Sequence, residues 1–183
     1  MTKEPDAFCV TVFCGSGNVD PSFHEAARQL GEGIGNAGMT LVYGGNYTGL
    51  MADVSDGVRS TGGRVVGISP PLFGDLNDTQ CDEFVVATDM RHRKAEMERR
   101  GDAFVILPGG IGTLEEFFEI LVGRQLHVHA KPVILLDING FYRPLIDWMK
   151  HATTLGFVRK VTWEELQIAT SADEALQLLA DAR

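Results

Sequence analysis

The run Pro108-Gly109-Gly110-Ile111-Gly112-Thr113 is followed at once by Leu114 and by three carboxylates, Glu115, Glu116 and Glu119. Glycines permit positive φ and close backbone approach, and the free N–H groups and dipole of a helix start attract a phosphate. The segment lacks the GxxxxGK[ST] pattern, so a triphosphate site with magnesium has little support and a monophosphate suits it better. Arg91, His92, Arg93 and Lys94, with Arg99 and Arg100, form the chain's basic cluster. Arg93 can present a fixed fork of donors to a phosphate or ribose, although a charge run is by default a solvated helix face. Glu116 carries two readings as well. Thr113-x-x-Glu116 matches a capping box, and a carboxylate beside a sugar could instead serve catalysis.

Other chemical templates fit poorly. Gly15-Ser16-Gly17 begins a GxGxxG fingerprint, but Asp20 occupies the place of the third glycine. Tyr43, Gly44 and Gly45 stand where NAD binding would need an acidic residue for the ribose, so a dinucleotide is weakly supported. Cys9, Cys14 and Cys81 lack CxxC spacing, and His127 and His129 form an H-x-H pair without other clear ligands. Neither a disulfide framework nor a metal site is indicated, and no lysine stands in a recognisable pyridoxal phosphate setting.

These residues need elements that place them together. Apolar runs at 8–13, 40–43, 64–68, 84–87, 104–107 and 132–137 read as buried parallel strands. Between and after them, helical spacing covers 21–36, 48–60, 89–100, 113–126, 141–154 and 172–180, the first opened by Asp20 as N-cap and Pro21 at the first helical position. In the helix over 113–126, Leu114, Phe117, Phe118 and Leu121 make the core-facing stripe, which directs Glu115, Glu116 and Glu119 elsewhere. Strands alternating with helices predict an α/β fold, a doubly wound parallel sheet, with its ligand crevice at the carboxyl ends of the strands.

The 183 residues suit one compact domain, long enough to build a core without staples. Sixteen Lys and Arg against 25 Asp and Glu give a formal charge of −9, which disfavours general nucleic-acid binding but not capture of one small anion by a local basic cluster. The N-terminal stretch Met1 to Ala7 carries Glu4 and Asp6, and Gly15 cuts short the apolar run after it. No signal peptide or membrane span is expected, and the chain reads as cytoplasmic.

Together Phe13-Cys14-Gly15-Ser16, Val42-Tyr43-Gly44-Gly45, Gly49-Leu50-Met51, Met90 with Arg93-Lys94, and PGGIGTLEE from Pro108 to Glu116 resemble the LOG (Lonely Guy) family, from about Cys9 through Pro144. That family comprises cytokinin riboside 5′-monophosphate phosphoribohydrolases, many once labelled lysine decarboxylases. The resemblance implies a Rossmann-like homodimer that hydrolyses the N-glycosidic bond of a purine nucleoside 5′-monophosphate, with no metal or redox cofactor. By motif position Arg93 and Glu116 are the catalytic pair, Gly109, Gly110, Gly112 and Thr113 hold the phosphate, Ser16 and Gly45 line the site, Met90 borders the base, and Lys94 joins the substrate-binding set. A broader nucleosidase acting on AMP and a nucleotide or cofactor carrier on the same cradle are the alternatives. The chain departs from the family pattern at Arg91 and His92, at Asn46 to Thr48, and at Val122 to His127, where Gly123 replaces a tryptophan.

Overall fold

Among the described residues seven strands form one parallel sheet: β1 (Cys9–Phe13), β2 (Thr40–Tyr43), β3 (Arg64–Ser69), β4 (Glu83–Val86), β5 (Ala103–Ile106), β6 (Val133–Leu136) and β7 (Leu166–Ala169). Their order is β4-β3-β2-β1-β5-β6-β7. Every neighbouring pair runs parallel. The computed structural model describes residues 7–183, so Glu4 and Asp6 lie outside the described residues. β1, β2, β5 and β6 are buried along their whole length, as continuous apolar strands covered on both faces must be.

Helices α1 (Pro21–Asn36), α2 (Gly49–Ser60) and α7 (Ala172–Asp181) cover one face. α3 (Met90–Arg100), α4 (Ile111–Gln125) and α5 (Arg143–Thr154) cover the other. Asp20 caps α1 by accepting from the Ser22 amide at 3.0 Å, with Pro21 at the first helical position. α1 and α2 then pack backbone to backbone. A Cβ at Gly31 would fall 2.2 Å from the Val54 carbonyl oxygen, and one at Gly57 would fall 2.4 Å from that of Arg28. Only glycine allows that approach.

The six predicted strands and six predicted helices are present, with the starts of α2 and α3 moved by one residue and those of α4 and α5 by two. The move matters at α4, which begins at Ile111 with Gly110 as N-cap and no side-chain cap. Thr113 is therefore inside the helix, and the expected capping box does not form. Residues 155–171, to which sequence periodicity assigns no element, contain the short helix α6 (Lys160–Glu165) and the edge strand β7. β7 spans only four residues, with Gln167 between Leu166 and Ile168, too short for a clear alternation. A kinked 3-10 segment, Pro71–Leu76, also lies between β3 and β4. Among the described residues no helix is long and apolar enough to cross a membrane.

Candidate active site

β1 is flanked by β2 and β5, and the chain leaves it in one direction and returns on the other side. The loops after β1 and β5 diverge there and open a crevice, the usual ligand position in a doubly wound sheet. The two loops touch at their base, where the Gly15 amide donates to the Pro108 carbonyl at 3.0 Å. The Leu50 amide at the start of α2 donates to the Gly15 carbonyl at 3.1 Å. Gly49, at φ +51°, lies so near the loop that a Cβ there would meet the Ser16 carbonyl carbon at 2.5 Å. Three glycine-containing loops thus meet at the carboxyl ends of the central strands, and Ser16 is exposed there.

The glycines of the Pro108 loop divide into two kinds. Gly109 is packed: a Cβ there would lie 2.2 Å from Thr113 Oγ1 and 2.9 Å from the Gly15 nitrogen. Thr113 itself is buried. At Gly110 and Gly112 a Cβ would meet nothing within 4 Å, and neither residue has positive φ. The fold does not require glycine at those two positions. What their lack of a side chain supplies is an unobstructed approach to the first turn of α4, whose earliest intrahelical bond is Leu114 N–H to the Gly110 carbonyl at 3.0 Å. The amides of Ile111, Gly112 and Thr113 precede it and have no intrahelical partner, which is the condition for anion binding at a helix start.

Behind this turn the buried residues of α4 are Thr113, Glu116, Phe117, Ile120 and Leu121. The buried stripe is rotated from the predicted one: Leu114 and Phe118 are half-buried, while Glu116 points inward at 8% exposure. Its expected direction away from the core is corrected accordingly. Glu115 and Glu119 do face outward.

Arg93 reaches Glu116 from α3. Asp89 caps that helix, accepting from the amides of Arg91 and His92 at 2.8 and 2.9 Å. One turn in, the Arg93 side chain runs past the end of β3, where Nε donates to the Ile68 carbonyl at 3.1 Å and Nη1 donates to Glu116 Oε1 at 2.7 Å. Arg93 is 7% exposed, so it is not part of a solvated charge face. Its other terminal nitrogen lies against Gly44, where a Cβ would stand 2.0 Å from Nη2. Burial raises the Glu116 carboxyl above its ordinary value, with Arg93 opposing the shift by charge and hydrogen bond.

The structure also places the remaining expected residues. Lys94 bridges to α4, pairing with Glu115 and, at 2.8 Å, with Glu119. Against burial, which acts to lower it, those carboxylates hold its ammonium above the usual lysine value. An ammonium so held is a poor Schiff-base nucleophile. Met90, the first residue of α3, is exposed at the crevice end. Gly45, at φ +72°, would bring a Cβ within 2.9 Å of the Ile68 nitrogen. Its carbonyl accepts from the Asp78 amide at 2.8 Å, and the Asp78 carboxylate accepts from Tyr43 Oη at 2.6 Å and pairs with Arg59.

Several supporting residues have no sequence signature of their own. Tyr142 Oη donates to the Leu107 carbonyl at 2.7 Å, fixing the chain where it enters the Pro108 loop. Gly44 and the Ile68 carbonyl, which make the Arg93 berth, were visible only as parts of a glycine pair and a strand. His129 of the H-x-H pair lies against the Ile120 carbonyl at 3.0 Å and accepts from the Lys131 amide at 3.2 Å. Its ring fills the space beside Gly123, where a Cβ would meet it at 3.2 Å.

Comparison with known proteins gives the family. The family described as possible lysine decarboxylase matches residues 51–179. The chain is 38% identical to a cytokinin riboside 5′-monophosphate phosphoribohydrolase of Rhodococcoides fascians, over 94% of this chain and 89% of that one. It is 36% identical to the protein of the same name from Mycobacterium marinum, over 98% and 97%. The chain belongs to the LOG family. Among solved structures, the molybdenum cofactor binding protein of Rippkaea orientalis superposes with a TM-score of 0.76 at 23% identity, covering 97% of this chain and 98% of that one. A molybdenum cofactor carrier protein of Chlamydomonas reinhardtii does so at 0.72 and 21%, covering 97% and 98%. At those identities the likeness is one of fold. The LOG motifs themselves converge on the crevice: PGGIGT forms the α4 start, and the Arg-Lys and Glu-Glu pairs supply the two bridges between α3 and α4.

Proposed function

We propose that this LOG chain hydrolyses the N-glycosidic bond of cytokinin riboside 5′-monophosphates and of AMP, releasing the free purine base and ribose 5-phosphate. The observation that carries the proposal is the buried Arg93–Glu116 pair set immediately behind the uncapped start of α4. The 5′-phosphate sits on the free amides of that start, with Gly110 and Gly112 leaving room for it and Gly109 and Thr113 shaping the turn. Ser16 and Gly45 line the ribose side, Met90 borders the base, and Lys94 holds α3 and α4 together beside the substrate.

As the C1′–N9 bond breaks, its electron pair leaves with the base and positive charge builds on the ribose. A carboxylate near C1′ stabilises that charge and orients water, whose oxygen bonds to C1′ while one of its protons ends on the base. Glu116 takes this role. Arg93 stays cationic near neutrality and acts by position and charge, holding the carboxylate and offering its fork to the sugar phosphate.

The assembly is a homodimer of single-domain chains. Support comes from the apolar residues left exposed around α4 and α5, namely Val122, Leu126, Val128 and Trp148, the last packed edge-on against Phe118. The free thiols of Cys14 and Cys81 suit a reducing cytoplasm.

The deciding experiment incubates the protein with AMP, isopentenyladenosine monophosphate and adenosine, and follows base release by chromatography. Base from the two monophosphates and little from adenosine is expected, because binding of the remote phosphate positions the ribose. No base from either monophosphate overturns the proposal.

A further inference from the structure

The loop between β1 and α1 carries Ser16 to the crevice, yet residues 16–19 make a single hydrogen bond among the described residues. The Val19 amide donates to His24 Nε2 at 3.4 Å. His24 lies in the first turn of α1, and its other ring nitrogen, Nδ1, stands 2.5 Å from Asp53 Oδ2 in the first turns of α2. The second oxygen of Asp53 accepts from Arg28 at 3.2 Å, so both carboxylate oxygens are engaged and the carboxylate cannot rotate freely. Elsewhere the loop is tied only at its ends, by Gly15 to Pro108 and Leu50, and by the Asp20 cap and the Asn139 to Ser22 hydrogen bond at 2.8 Å.

The two contacts give the ring nitrogens different roles: Nδ1 donates to the Asp53 carboxylate and Nε2 accepts from the Val19 amide. The ring so placed transfers the fixed geometry of α2 to the middle of the loop. Helices α1 and α2 are themselves locked by the Gly31 and Gly57 approach, which leaves little slack between His24 and Asp53.

We propose that His24, oriented by Asp53, is a positioning residue of the active site: it holds the Ser16–Asp20 loop in the shape that receives the ribose phosphate. This deepens the hydrolase proposal and rests on it. Loss of the anchor lowers affinity for the sugar phosphate more than it lowers the chemical step, because His24 does not reach the reacting atoms.

Three variants separate the two ring contacts. Glutamine places an acceptor where Nε2 stands, asparagine places a donor where Nδ1 stands, and alanine supplies neither. Ribose 5-phosphate is the probe for binding, since it has no glycosidic bond to cleave, and AMP turnover gives KM and kcat. His24→Ala and His24→Asn are expected to weaken ribose 5-phosphate binding and raise KM by about threefold to tenfold, the scale of one net hydrogen bond, with kcat changed less. His24→Gln, which keeps the acceptor for Val19 but loses the donor to Asp53, should restore both in part. Equal behaviour of the asparagine and glutamine variants, or a fall confined to kcat, overturns the proposal. The ring nitrogen shifts of 15N-labelled protein, assigned with His24→Gln, provide a readout independent of catalysis. A protonated Nδ1 and bare Nε2 are expected, and a proton on Nε2 overturns the anchor. If the wild type released no base while this tautomer was found, the hydrolase proposal would fail and the anchor geometry would stand, so the two failures are distinguishable.

Discussion

Glu116→Gln removes one charge and almost no volume. Glutamine can still accept from Arg93 through Oε1, so the hydrogen bond seen at 2.7 Å survives without its ionic component. Arg93 then becomes a buried cation whose other hydrogen-bonded partner is a neutral carbonyl, that of Ile68. Removing one partner of a buried pair outright costs about 3–5 kcal/mol. The retained hydrogen bond, and the burial that already disfavours the Glu116 charge, offset that cost, so stability should stay within about 1 kcal/mol of the wild type. For a chain of this size that is a shift in Tm of at most about 4 °C. A helix-cap role would leave turnover nearly unchanged as well, but the N-cap is Gly110 and Glu116 lies in the second turn. If the carboxylate stabilises the developing ribose charge, kcat falls by about 10²–10⁴-fold while the variant stays folded. Thermal melting and single-turnover base release on one preparation test both parts. A folded variant that keeps more than about a tenth of the wild-type kcat would refute the catalytic assignment, and a fall in Tm of more than about 10 °C would refute the offset between burial and ion pair.

The neighbouring positions give further expectations. Gly112→Ala points its methyl into open space in the first turn of α4, so thermal stability should hold or rise by up to about 1 kcal/mol while KM for AMP increases; an unchanged KM would show that the phosphate does not approach there. Gly44→Ala puts a methyl 2.0 Å from Arg93 Nη2 and should swing the guanidinium off Glu116, abolishing most base release from a folded protein; near-normal turnover would refute the importance of that berth. Burial raises the Glu116 carboxyl, so if the ionised form is required the acid limb of the kcat/KM profile lies above the ordinary value of 4.5, and a limb at or below it would contradict the assignment. The linked stability term has the opposite sense: it favours folding below the unfolded carboxyl value and is lost as pH rises through the folded one, because ionisation is costlier in the folded chain. Sedimentation at micromolar concentration should show a dimer, and a monomer would remove the apolar surface of α4 and α5 as an interface.

The fold was legible where burial is complete. Strands such as β5 and β6 are unbroken apolar runs, and α1 opens with an N-cap and a proline that define its start. β7 and α6 escaped because a four-residue edge strand with a central glutamine offers too few positions to establish a period. The site was legible in kind but not in orientation. Residue types and loop context pointed to the Pro108 loop, Arg93 and Glu116, whereas the Leu114, Phe117, Phe118 and Leu121 stripe turned Glu116 outward. The actual stripe accepts Thr113 and Glu116 at its crevice end because a partner on another element, Arg93, neutralises the buried charge. No local pattern on α4 records that long-range pairing.

The likeness to molybdenum cofactor carriers is one of fold, and fold does not settle what the crevice does. Free amides at a helix start, opened by glycines, serve any protein that holds a phosphate, whether it then reacts with the ligand or merely keeps it. A buried carboxylate five residues into the same helix is different. By the rise of an α-helix it stands about 7.5 Å along the axis from Ile111, within about a Debye length of an anion bound at the first turn. There it opposes the anion and pays a desolvation penalty besides. A carrier gains from neither. The arrangement becomes favourable when the bound molecule develops positive charge between the phosphate and the carboxylate, as a ribose does while losing its base. In the proposed mechanism the Arg93–Glu116 pair keeps the ground state tolerable until that charge appears. On the proposed function, the feature that separates reaction from storage is therefore the opposed placement of an anion-binding helix start and a buried, arginine-held carboxylate, not a glycine loop.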